Sequence, residues 1–142
     1  MRYINKKRIY RNVLKNVLLA AWAICISIGP ASGVNAQNAV ITEASWYSRG
    51  SCLREGTSGI MANGKELKDH EHTCASWDYP FGTRLILTSL DTQRRVVVVV
   101  TDRGPSRRLY NMGRKIDLSK GAFSRIADLK RGVIQVKVEV IK

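Results

Sequence analysis

Five consecutive valines at positions 96–100 limit this chain more than any other feature. With a side-chain period of two, such a run is apolar on both faces of a strand. It therefore belongs in the middle of a sheet covered on both sides, because left exposed it would template aggregation. Around it the pattern predicts a hairpin: a turn at Pro80-Phe81-Gly82-Thr83, a strand over 84–90, a short turn at Asp91-Thr92-Gln93 and a returning strand over 94–101. Residues 40–47 mix β-branched and aromatic side chains and predict a first strand. In the last strand Ile134, Val136, Val138 and Val140 alternate with Gln135, Lys137 and Glu139, the pattern of a half-buried strand. Residues 48–64 hold four glycines and read as a long loop. A short helix is predicted from about residue 118 to 127, with Asp117 and Ser119 as the candidate caps. Short strands with one small helix in about 100 residues point to a mostly β fold, a small closed barrel.

The amino terminus is a separate matter. Arg2, Lys6, Lys7, Arg8, Arg11 and Lys15 precede an uncharged apolar run at 17–28, which Gly29 and Pro30 break. Twelve apolar residues fall short of the roughly 20 that a spanning helix needs. Residues 1–36 therefore read as a signal peptide cut after Val34-Asn35-Ala36, and residues 37–142 as one domain, periplasmic or secreted, with no lasting membrane anchor. Ile24 before Cys25 argues against lipidation. Export leaves Cys52 and Cys74, an even pair in an oxidising compartment, and predicts a disulfide between them. Their spacing, without partner histidines, is not that of a zinc site, and no metal or cofactor is expected. Six of the 24 Lys and Arg lie in the leader, so the exported domain carries 18 cations against 11 acids. Outside the cytoplasm that balance suits anionic wall glycans or surface polymers, not nucleic acid.

Five strings then occur in order: Glu43-Ala44-Ser45-Trp46-Tyr47, Met61-Ala62-Asn63-Gly64, Pro80-Phe81-Gly82-Thr83, Thr101-Asp102-Arg103-Gly104-Pro105 and Ile116-Asp117-Leu118-Ser119. Together, from about Ala39 to the end, they resemble the rare lipoprotein A (RlpA) family of double-psi β-barrels, kin to expansins and to the barrel of membrane-bound lytic transglycosylase A. The resemblance implies a six-stranded double-psi barrel. It also implies lytic transglycosylase activity on peptidoglycan glycan strands. The exported domain is expected to be a monomer.

That chemistry needs a carboxyl group to protonate the glycosidic oxygen and then to take a proton from the sugar's own 6-hydroxyl as an anhydro ring closes. One carboxyl can serve as both acid and base. Asp102 and Asp117 are the candidate catalytic residues, and the implied barrel is expected to bring both to one common groove. Asp102 matches the family's D-R-G-P aspartate and is expected to be the acid and base; otherwise it orders its loop through Arg103. Asp117 is either a second catalytic carboxyl or a helix N-cap. The expected substrate-binding residues are Trp46, Tyr47, Asn63, Ser76, Trp77, Tyr79, Arg103 and Arg114. Flat rings suit the C–H face of a pyranose, although aromatics are more often core. Two departures stand out: Ser76 occupies the position where the family carries histidine, and Lys65 the position where it commonly carries glutamate. His70 and His72 read as a solvated pair. A non-catalytic, expansin-like wall-binding domain is the alternative function, and a secreted module for a protein partner a third.

Overall fold

A computed structural model describes residues 39–141 of the chain. The expected signal peptide and its cleavage point lie outside the described residues. The six strands are β1 (Val40–Tyr47), β2 (Thr73–Ser76), β3 (Arg84–Ser89), β4 (Arg95–Asp102), β5 (Arg114–Ser119) and β6 (Val133–Val140). They close into a barrel in the order β1-β5-β2-β4-β3-β6. Three short α-helices decorate it: α1 (Arg49–Arg54), α2 (Arg107–Asn111) and α3 (Lys120–Ile126), the last followed by a 3-10 turn at Leu129–Arg131.

The strand pattern decides the inside of the barrel. Ala44, Leu85, Leu87, Ile116, Leu118, Ile134, Val136 and Val138 are buried in one core, and α3 adds Phe123 and Ile126 to it. Each such side chain contributes about 1.5–3 kcal/mol on leaving water. The valine run differs from expectation on one point. It does lie mid-sheet, with β4 hydrogen-bonded to β2 and β3. Yet only Val96, Val98 and Val100 are buried, while Val97 is 39% exposed. Closure protects the run instead of a second layer, because a barrel leaves no free edge for another strand to join.

Two strand pairs are parallel, β1 with β5 and β2 with β4, and the rest are antiparallel. The sequence pattern missed β2, which is four residues long and buried throughout, and β5, whose first residues are Arg114 and Lys115. The predicted helix begins at Lys120, two residues later than expected, because Leu118 is a core residue of β5. Ser119 is its N-cap, with its hydroxyl accepting from the Ala122 N–H, so Asp117 is not a helix cap. The expected loop at 48–64 also contains α1, which Ser48 and Ser51 start with a reciprocal capping box.

Candidate active site

Asp102 and Asp117 reach one site through the register of four neighbouring strands. Asp117 on β5 pairs with Ser45 on β1 and with Ala75 on β2, and Ala75 pairs in turn with Asp102 on β4. The row Ser45, Asp117, Ala75, Asp102 thus crosses four adjacent strands. At about 4.8 Å per strand the two aspartate Cα atoms are about 10 Å apart, with only a methyl group between them. Asp102 joins this row because of a bulge. The step from Cys74 to Ala75 on β2 matches the step from Val100 to Asp102 on β4, leaving Thr101 extra. Strict alternation would have aimed Asp102 the same way as the buried Val96, Val98 and Val100. The extra residue re-aims it.

Both carboxyl groups line one cavity of about 430 Å³, with Tyr47, Cys52, Ile60, Met61, Trp77 and Pro105 among its other walls. Met61 and Leu67, both buried, come from the segment that crosses this side of the barrel. Its turn is tied down where Asn63 N–H donates to the Thr101 carbonyl oxygen and Ala62 N–H donates to Asp102 Oδ1 at 2.8 Å. The same Asp102 oxygen accepts from the Arg103 N–H at 2.8 Å.

Asp117 is differently placed. The Ser45 hydroxyl donates to its Oδ1. Its Oδ2 lies beside Gly104, where a Cβ would stand 3.6 Å from that oxygen and 3.2 Å from the Ala75 Cβ. Burial pushes the Asp117 carboxyl above the usual aspartate range, and the Asp102 charge pushes the same way. The Ser45 hydrogen bond and Arg114 oppose the shift without cancelling it. The result is a carboxyl group that holds its proton more tightly than an ordinary aspartate, with one oxygen held by Ser45 and the other beside Gly104.

The expected binding residues divide. Tyr47, Trp77 and Arg103 line the cavity. Trp77 is held by its indole N–H, which donates to the Pro105 carbonyl oxygen at 2.7 Å, and by the Arg107 guanidinium stacked 3.9 Å from its ring. Arg103 stacks on Phe81 and donates from Nη1 to the Ser76 and Tyr79 carbonyl oxygens, bracing the loops behind the site. Five others do not line it. Trp46 packs on the core and donates to the Leu129 carbonyl oxygen, and Tyr79 also packs on the core. Asn63 folds its side-chain oxygen onto the Lys65 N–H within its own turn. Arg114 acts on Asp117 through its charge, and its Nε is buried without a hydrogen-bond partner among the described residues. Ser76 is wholly buried, pairs with the core residue Ile116, and accepts from the Asp78 N–H. His70 and His72 are exposed and do not line the cavity.

The predicted disulfide is not formed: Cys52 and Cys74 are free thiols. Cys74 belongs to the barrel core, and burial pushes its thiol up to about 12. Cys52 sits on α1 at the cavity wall, so the two lie on different layers. Sequence reasoning missed Ser45, Ala75 and Gly104 as site residues. Ser45 and Gly104 lay within strings already singled out, but a hydroxyl partner and a missing Cβ have no periodic signature.

Residues 39–138 match the family described as Lytic transglycolase. The chain belongs to that family. Among its relatives, the probable endolytic peptidoglycan transglycosylase RlpA of Aquifex aeolicus is 37% identical over 99 residues, covering 70% of this chain and 40% of that protein. The corresponding Nostoc sp. protein is 39% identical over 69% of this chain and 24% of its own length. The endolytic peptidoglycan transglycosylase RlpA of Campylobacter jejuni is 39% identical over 69% of this chain and 32% of its own length. The chain thus spans well under half the length of these relatives. Among solved structures, the Streptomyces papain inhibitor superposes with a TM-score of 0.54 at 22% identity, over 73% of this chain and 94% of that one. The apo expansin of Clavibacter michiganensis gives 0.53 at 22% identity, over 73% of this chain and 50% of that one. These two likenesses concern the fold: a mostly β, six-stranded double-psi barrel, as the family resemblance implied.

Proposed function

We propose that this chain is a lytic transglycosylase acting on peptidoglycan outside the cytoplasm, cutting glycan strands internally and leaving anhydro-ended products. The observation that carries the reading is the convergence of two unlike carboxyl groups on one cavity wall. Asp117, held by Ser45 and raised by burial above the ordinary aspartate range, is the general acid. Its proton goes to the glycosidic oxygen as the bond from that oxygen to the sugar's anomeric carbon breaks. The sugar's 6-hydroxyl then attacks the anomeric carbon and returns its proton to the Asp117 carboxylate, so acid and base are one group and no water is consumed. Asp102, whose Oδ1 is fixed by two backbone N–H groups, faces the positive charge that develops on the sugar ring. This exchanges the role expected for Asp102 with that of Asp117. The cavity volume falls within the roughly 300–1,000 Å³ of ordinary ligand clefts, and the Trp77 ring offers a flat apolar wall for a pyranose.

The names of the RlpA relatives support the substrate, and the expected signal peptide supports export. Among the described residues no helix is long and apolar enough to cross a membrane. The test is mass spectrometry of purified glycan strands after incubation with the protein: anhydro-ended fragments are expected. One observation favours the second reading, an expansin-like wall-binding domain: no histidine lines the cavity, and Ser76 is buried away from it. Unchanged strands together with sedimentation on cell-wall sacculi would select that reading.

A further inference from the structure

Tyr47 carries a polar group that the chemistry above leaves unused. Its ring lines the cavity, but its hydroxyl is buried and has no hydrogen-bond partner among the described residues. Buried polar groups in folded proteins are nearly always paired, and an orphan at a catalytic wall calls for an explanation. Three elements bring titratable groups to this phenol: β4 brings Asp102, β2 brings Cys74 and α1 brings Cys52. Burial and these neighbours together push the phenol far above its ordinary range, so it remains an O–H donor wherever the protein is folded. Of the three, Asp102 is the carboxyl group, and it lines the same cavity as the Tyr47 ring. Asp102 in turn is half satisfied: both of its hydrogen bonds among the described residues go to Oδ1. A donor without an acceptor and an acceptor oxygen without a donor thus belong to two residues of the same cavity wall.

We infer that Tyr47 is a positioning residue, donating its phenolic proton to Oδ2 of Asp102 so that this carboxylate is fixed through both oxygens against the cavity. Catalytic hydrogen bonds tighten as substrate excludes water, so this contact is expected to be shortest in the complex with substrate. The benzene ring alone suffices to wall the cavity, so the hydroxyl has a separate task. Because Asp102 enters through the proposed glycan chemistry, the kinetic half of this inference rests on that reading; the contact itself does not.

The experiment has two arms. In the first, protein labelled with ¹³Cζ-tyrosine is titrated by NMR between about pH 6 and pH 3, the range in which carboxylates take up protons. The Tyr47 resonance, identified by its absence in Tyr47→Phe, is expected to move in wild type and in Asp117→Asn and to stay flat in Asp102→Asn. A resonance that is flat in wild type, or that moves equally in Asp102→Asn, overturns the inference whether or not the protein turns over glycan. In the second, Tyr47→Phe is expected to lower kcat about tenfold, the value of one hydrogen bond, with KM unchanged. A raised KM at unchanged kcat overturns the positioning role in favour of simple binding. If wild type releases no anhydro ends, the glycan reading fails, and the NMR arm still decides the contact. Should Tyr47→Phe not fold, the Asp102→Asn comparison decides it, with the resonance assigned through its neighbours.

Discussion

Replacing Asp117 with asparagine separates chemistry from stability in opposite directions. The amide keeps the volume of the carboxyl and still offers an oxygen to the Ser45 hydroxyl, but the group beside Gly104 no longer gives or takes a proton. Loss of a general acid and base costs about 10²–10⁴ in rate, which at 1.36 kcal/mol per tenfold is about 2.7–5.4 kcal/mol of barrier. Stability should move the other way. Burial raises the Asp117 carboxyl above its ordinary value, so the folded state binds this proton more tightly than the unfolded chain does. For such a group the contribution to stability is fully present below the unfolded value, near pH 4, and is lost as pH rises through the folded value. At neutral pH the wild type therefore carries an ionisation penalty on folding that Asp117→Asn does not, and the variant should be the more stable. That advantage should shrink as pH falls below about 4, where both proteins are neutral at this position. Quantified anhydro ends and urea unfolding at pH 7 and near pH 3.5 check the two halves. Activity within about tenfold of wild type would refute the acid and base role. A variant less stable than wild type at pH 7 would refute the account of a buried, disfavoured charge.

Asp102→Asn should keep the fold, since the amide oxygen still accepts from the Ala62 and Arg103 N–H groups, while activity falls on the order of 10²-fold through lost charge stabilisation; anhydro-end release and a thermal melt check both. Gly104→Ala places a methyl 3.2 Å from the Ala75 Cβ and against Asp117, so it should destabilise by about 1–3 kcal/mol and depress turnover. Adding Ala75→Gly should recover part of both in a double-mutant cycle, and full additivity would count against the contact. Leu87→Ala, at a fully buried core position, should cost about 2–5 kcal/mol in chemical unfolding without changing which products form.

How much of this was legible beforehand depended on the length and rhythm of each segment. Strands β1, β3, β4 and β6 run six to eight residues with clear apolar patterning, and each was placed within a residue or two. β2 is too short to show a rhythm, and all four of its residues are buried. β5 opens with two cations, which hide the apolar rhythm of a core strand. The two aspartates were legible from their motif strings, and the implied double-psi barrel predicted that they face one groove, as they do, but the register that joins them was not legible. It depends on a bulge at Thr101 and on β2 lying between β4 and β5, and neither leaves a trace in composition or periodicity. The expected disulfide failed for a related reason: spacing along the chain does not say that one thiol belongs to the barrel core and the other to an outer helix.

The row of residues across four strands also bears on how the protein comes to life. Ser45 and Asp117, 72 positions apart, are joined by a hydrogen bond, and two parallel pairings, β1 with β5 and β2 with β4, build the wall on which they sit. Contacts so distant along the chain form only after large loops have closed, which places such topologies among the slower folders, on the order of milliseconds to seconds. No contiguous half of the chain holds the whole row. The row is therefore absent until β1, β5, β2 and β4 have all paired, so a chain that lacks either parallel pairing lacks the juxtaposed carboxyl groups.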